Sequence, residues 1–107
     1  MKDFARRAGF LITFAVAGAV SASAGERVRI SINDLDFAPS SVTVHLGDIV
    51  EWTNKDIVEH TATARNGAFD VTTPKGKPAT ARMTVVGRTE YFCRLHPNMV
   101  GVIDVVK

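Results

Sequence analysis

The run Glu26 to Ile32, ERVRISI, places Val28, Ile30 and Ile32 at every second position between charged or polar side chains. Side chains of an extended chain alternate between two faces, so this run reads as a strand covered on one side. The same two-residue beat returns at Val42 and Val44, from Ile49 to Trp52, and in TATA (61–64), ARMTVV (81–86), EYFC (90–93) and VGVIDVV (100–106). Turn signals separate these runs: NDLD, LGD, TNKD, RNG, TPKGKP and VG. Helical periodicity is hard to find. About seven or eight short strands at this spacing predict an all-β fold, an antiparallel sandwich or a small barrel.

Ahead of this pattern, residues 1–24 read as a cleaved export signal. Lys2, Arg6 and Arg7 form a basic start, GFLITFAVAGAV (9–20) is an apolar run, and SASA (21–24) supplies small residues for a cut after Ala24. The run is shorter than the roughly 20 apolar residues of a membrane span, which argues against an uncleaved anchor. Arg6 and Arg7 leave both general and twin-arginine export open. The signal also holds three bases and one acid, so the 13 Lys and Arg and 11 Asp and Glu of the whole chain balance over residues 25–107. With no basic run, charge offers no argument for binding nucleic acid or an anionic membrane. What remains is one small domain, residues 25–107, with a modest core.

Small exported domains commonly rely on disulfides, but this chain has one cysteine. It lies in Tyr91 to Gly101, YFCRLHPNMVG, where Cys93, His96 and Met99 follow at three-residue intervals. A thiol nucleophile needs a base at the sulfur, an orienting third residue and oxyanion donors, and it leaves Met99 without a part. A structural zinc site wants four Cys or His ligands, and the whole supply is His45, His60, Cys93 and His96. A blue-copper centre takes two imidazoles and a thiolate in a plane, with a methionine as weak axial ligand. Cys93, His96 and Met99 supply three of those donors from one loop. Three extended residues span roughly 10 Å, so the loop has to curl, and Pro97 restricts the backbone in its favour. His60, where a polar turn meets a strand, is the candidate for the second imidazole; His45, just before the LGD turn, is the runner-up. Trp52 reads as a core anchor, and Phe37 and Pro39 as a strand entry without chemistry.

Taken together, these segments resemble the cupredoxins, the type 1 copper proteins, and among them the amicyanin and plastocyanin branch. DFAPSSVTVHLGDIVEWTN (36–54) resembles the family's second and third strands, and EHTAT (59–63) the segment that carries its upstream histidine. YFCRLHPNMVGVIDV (91–105) is similar to its ligand loop and last strand. The short gaps on either side of His96 are similar to amicyanin's. Two neighbours depart from the family pattern: Glu59 and Thr61 flank His60 where proline and asparagine are usual. Thr61 offers one hydroxyl donor where an amide has two, and the charges of Glu59 and Arg94 act on the site in opposite senses.

The resemblance implies a small antiparallel Greek-key β-sandwich holding one copper ion at His60, Cys93, His96 and Met99. It also implies a periplasmic, monomeric carrier of single electrons whose mature domain does not enter the membrane. By resemblance, His96 is the electron port, ringed by Pro97, Asn98 and Phe69 of the NGAF turn, and redox partner proteins dock there transiently. Multicopper catalysis needs extra histidines, usually as His-x-His pairs, and the chain has none, so no enzymatic activity is expected. The alternative is a copper-handling protein that sequesters or delivers the ion, since it uses the same donors.

Overall fold

In a computed structural model that describes residues 25–107, the alternating runs become nine strands with no helix among them. The expected export signal lies outside the described residues. The strands are β1 (Arg27–Asn33), β2 (Asp36–Ala38), β3 (Ser41–His45), β4 (Ile49–Asn54), β5 (His60–Ala64), β6 (Asp70–Thr73), β7 (Pro78–Arg82), β8 (Gly87–Phe92) and β9 (Val100–Val106). One sheet has the order β2-β1-β4-β7 and the other β3-β9-β8-β5-β6. The result is the expected all-β sandwich, with two differences in detail.

First, two pairs are parallel, β1 with β4 and β3 with β9, while the other pairs are antiparallel. Parallel neighbours need a crossover. Here the chain leaves β2 through the cis Ala38–Pro39 peptide, runs through the opposite sheet as β3, and returns beside β1 as β4. Second, the strand count exceeds seven or eight because β2 and β6 are too short to show alternation. The run ARMTVV also divides: pairing of β7 stops at Arg82, opposite Ile49, the first residue of β4. Val85 and Val86 therefore lie in a loop, 46% and 45% exposed.

Trp52, Tyr91, Phe37 and Phe69 form the aromatic centre of the core, with ring centroids 4.6 to 5.8 Å apart. Trp52 Nε1–H donates to the Tyr91 hydroxyl at 3.3 Å, so the buried phenol has a partner. Burial pushes the Tyr91 pKa up to about 12, against the opposing effect of that bond. Gly101 lies opposite Tyr91 on β9, and a methyl group there would come within 2.5 Å of the ring. Glycine at that position lets the tyrosine fill the sandwich just below the end where Cys93 emerges.

Candidate metal centre

On β8 the inward positions are Thr89 and Tyr91, and the alternation carries on to Cys93, one step past the strand. The thiol is therefore aimed into the end of the sandwich, where it is fully buried. The loop after it curls as its spacing requires. His96 N–H donates to Cys93 C=O at 3.2 Å and Met99 N–H to His96 C=O at 2.9 Å, two successive turns, and Cys93 N–H closes onto Met99 C=O at 3.0 Å. These bonds turn His96 back toward the sulfur, and Met99 is buried at the end of the same loop.

The second imidazole arrives from β5. His60 is its first residue, 0% exposed, with Nδ1 3.7 Å from Cys93 Sγ. His96 Nδ1 stands 3.8 Å from the same sulfur, and the two rings meet edge to face at 4.9 Å. The ligating atoms of His60, Cys93 and His96 all lie within 4.8 Å of one another. With ligand bonds of roughly 2.0 Å to nitrogen and 2.3 Å to sulfur, a nitrogen and a sulfur at roughly 120° stand about 3.7 Å apart. The two sulfur–nitrogen distances, 3.7 and 3.8 Å, are thus those of donors that could share one ion. His45, the runner-up, sits at the far end of β3 opposite Val106, on the side of the sandwich away from Met99 and Val100.

Two residues that the sequence reading did not single out hold His60 in place. Asn54, buried at the end of β4, donates to Val58 C=O and Thr73 C=O and accepts from Asp56 N–H, each at 2.8 Å, which shapes the loop before His60. Asp56 accepts from His60 Nε2–H at 2.8 Å and from the N–H groups of Asp34 and Leu35 at 2.7 and 3.0 Å. Asp34 and Leu35 both have positive φ, 52° and 61°, and form the tight β1–β2 turn. The N–H of Leu35 is the main influence holding the Asp56 carboxyl below its usual range, against the opposing effect of burial and with help from His60 and Asp34. An ionised carboxylate only accepts, so His60 presents Nε2–H to Asp56 and turns Nδ1 toward the sulfur. The turn signal TNKD marked this place, but nothing local in DIVEH pairs Asp56 with His60.

Around the sulfur, Thr61 N–H donates to Cys93 Sγ at 3.3 Å. The Thr61 hydroxyl accepts from Arg94 N–H at 2.8 Å, so the residue that replaces the family's asparagine still ties the two loops. The Arg94 guanidinium turns to Asp70 at 3.2 Å, which offsets its charge near the site. Leu35 and Leu95, about half exposed, flank the partly buried His96, and Pro97, Asn98, Asp34 and Asp36 line the same shallow depression. Phe69 is not part of this face: it is 8% exposed and packs on Trp52 and Tyr91 in the core.

The family model for the cupredoxin-like domain matches residues 7–105. The chain belongs to this family. No curated protein sequence matches this cupredoxin. Among solved structures it is similar to a purple cupredoxin from Nitrosopumilus maritimus, at 26% identity and a TM-score of 0.65, over 73% of this chain and 98% of that one. A copper-containing nitrite reductase from Thermus scotoductus matches at 25% identity and a TM-score of 0.66, over 76% of this chain and 22% of the reductase. A reduced amicyanin variant shares the fold at 23% identity and a TM-score of 0.66, over 83% of this cupredoxin and 88% of amicyanin.

Proposed function

We infer that His60 Nδ1, His96 Nδ1, Cys93 Sγ and the Met99 sulfur would together hold one type 1 copper ion, and that the protein carries single electrons. The observation behind this reading is the pair of Nδ1 atoms at 3.7 and 3.8 Å from one buried sulfur. Copper bound there supplies a one-electron couple between its +2 and +1 states. The chain's own residues keep the donors still. Asp56 fixes the tautomer and tilt of His60, Thr61 N–H stabilises negative charge on the sulfur, and two turns set the loop. Donors braced in this way rearrange little, which favours electron carriage over delivery of the ion.

Connectivity alone also admits a thiol nucleophile, because Cys93, His60 and Asp56 follow the order of a catalytic triad. The sulfur is 0% exposed beneath two imidazoles, which leaves no approach for an electrophile, so the carrier reading is preferred. The port is the partly exposed His96, and its apolar rim of Leu35, Leu95 and Pro97 is where redox partner proteins dock transiently. The carrier works as a monomer in the periplasm, in keeping with the export signal read at residues 1–24. No helix among the described residues is long and apolar enough to cross a membrane.

One equivalent of copper(II) added to the metal-free protein is expected to give intense visible absorption that bleaches on reduction and returns on oxidation. Cys93→Ser is expected to abolish the colour and leave the far-ultraviolet circular dichroism of the sandwich unchanged. A colourless wild-type complex, or colour that survives in Cys93→Ser, would overturn the assignment.

A further inference from the structure

On the outer face of the second sheet, at its site end, four side chains close a circuit. Arg94 N–H donates to Thr61 Oγ1 at 2.8 Å, and Thr61 Oγ1 stands 2.9 Å from Thr63 Oγ1. Thr63 O–H donates to Asp70 Oδ1 at 2.8 Å, and the same oxygen receives Arg94 Nε–H at 3.3 Å and Nη2–H at 3.2 Å. The direction of every bond is determined. An ionised Asp70 has no proton to give, so Thr63 spends its only proton on Asp70 and has only lone pairs left for Thr61. Thr61 must therefore donate to Thr63 while accepting from Arg94. The circuit starts on the backbone of Arg94 and ends on its side chain. Strand pairing holds its middle, since Thr63 lies opposite Asp70 across β5 and β6 and opposite Phe92 on β8.

We propose that Thr63 and Asp70 are positioning residues for the metal centre, acting through this one-way ring on both flanks of Cys93. Arg94 follows Cys93 directly, and Thr61 gives its own N–H to the sulfur, so the ring holds the two backbone groups that bracket Sγ. A threonine in place of an amide gains in this way a second anchor, reaching through Thr63 to β6. The side chains of Asp70 and Arg94 are about half exposed, which makes the outer half of the ring accessible to substitution without opening the core. The effect on bound copper rests on the function proposed above; the effect on the backbone does not.

Thr63→Val removes the relay with little change of shape. In the metal-free protein it is expected to speed hydrogen exchange at the Arg94 and Thr61 amides about fivefold, the factor for loss of one ordinary hydrogen bond. Amides of β1 and β4 are expected to keep their wild-type rates. In the copper-loaded protein it is expected to shift the visible band and the electron spin resonance parameters. Thr63→Ser, which restores a hydroxyl, is expected to return both readouts to wild type. Asp70→Ala, at an exposed site that does not endanger folding, is expected to act in the same direction as Thr63→Val. Wild-type exchange at Arg94 in both Thr63→Val and Asp70→Ala, or failure of Thr63→Ser to restore it, would overturn the proposal. The exchange measurement needs no metal, so it decides the ring even if copper does not bind.

Discussion

The two ends of the sandwich use the same parts to different effect. At one end Asp48 accepts from Glu26 N–H at 2.9 Å and His45 N–H at 2.8 Å, and Met83, buried, exchanges backbone hydrogen bonds with the Gly47–Asp48 turn. At the other, Asp56 accepts from two turn amides, and Met99 is buried in the ligand loop. Each end thus has an aspartate that gathers backbone N–H groups, a histidine and a buried methionine. The histidines part company. His45 is 71% exposed with its ring 3.9 Å from Asp48, whereas His60 is 0% exposed and donates to Asp56 at 2.8 Å. A carboxylate orients an imidazole when burial leaves the ring no water to turn to and the bond is short. Only the second end adds a thiol and a further imidazole within ligand distance of each other.

The widest separation between the ends is expected from the histidines. His60→Ala should weaken copper binding by more than about a hundredfold, beyond what loss of an outer partner costs, while His45→Ala leaves the colour and the affinity unchanged. Equal effects from the two, measured by titration against a competing chelator, would erase the contrast. The aspartates come next. Asp56→Ala is expected to lower copper affinity by about 10- to 100-fold through the freed His60 ring. Asp48→Ala is expected to leave affinity alone and to cost about 2 kcal/mol of stability in urea unfolding, because two backbone donors lose a charged acceptor.

The methionines sharpen the contrast further. Met99→Leu should retain copper but raise the reduction potential, since a donor that favours the oxidised ion is lost. Met83→Leu should leave the potential unchanged and cost less than about 1.5 kcal/mol. The smallest effect concerns acid. The N–H groups of His45 and Glu26 hold the Asp48 carboxyl below its usual 3.8, with burial opposing them and His45 adding a little. A lowered folded-state value means that this stability is present above the unfolded pKa and fades as pH falls through the folded one. Asp48→Asn is expected to flatten the stability loss of the metal-free protein below about pH 4. An unchanged acid limb in chemical unfolding would show that Asp48 does not contribute to it.

Much of this protein was legible in its sequence, for physical reasons that differ from part to part. Strand alternation is local, so β1, β4, β8 and β9 were visible in single runs of side chains. The curl of residues 93–99 followed from spacing, because three donors three residues apart meet only in a turned loop. The alternation over 81–86 does not make a strand of Val85 and Val86, since pairing there depends on where β4 begins rather than on their own composition. The NGAF turn suggests an exposed Phe69, and only its packing on Trp52 and Tyr91 in the sandwich buries it.

From sequence alone came the two-faced strands, the lone thiol with its imidazole and thioether, and His60 as the better of two upstream histidines. All of these rest on neighbours along the chain. The convergence of His60 with Cys93, the carboxylate of Asp56 behind its ring, and the closed circuit from Thr61 to Arg94 were decided by the tertiary structure. The first and last of those contacts join segments whose relative register is set by sheet pairing and core packing, and Asp56, though only four residues from His60, is aimed by the amides of the β1–β2 turn; no short stretch of residues contains either.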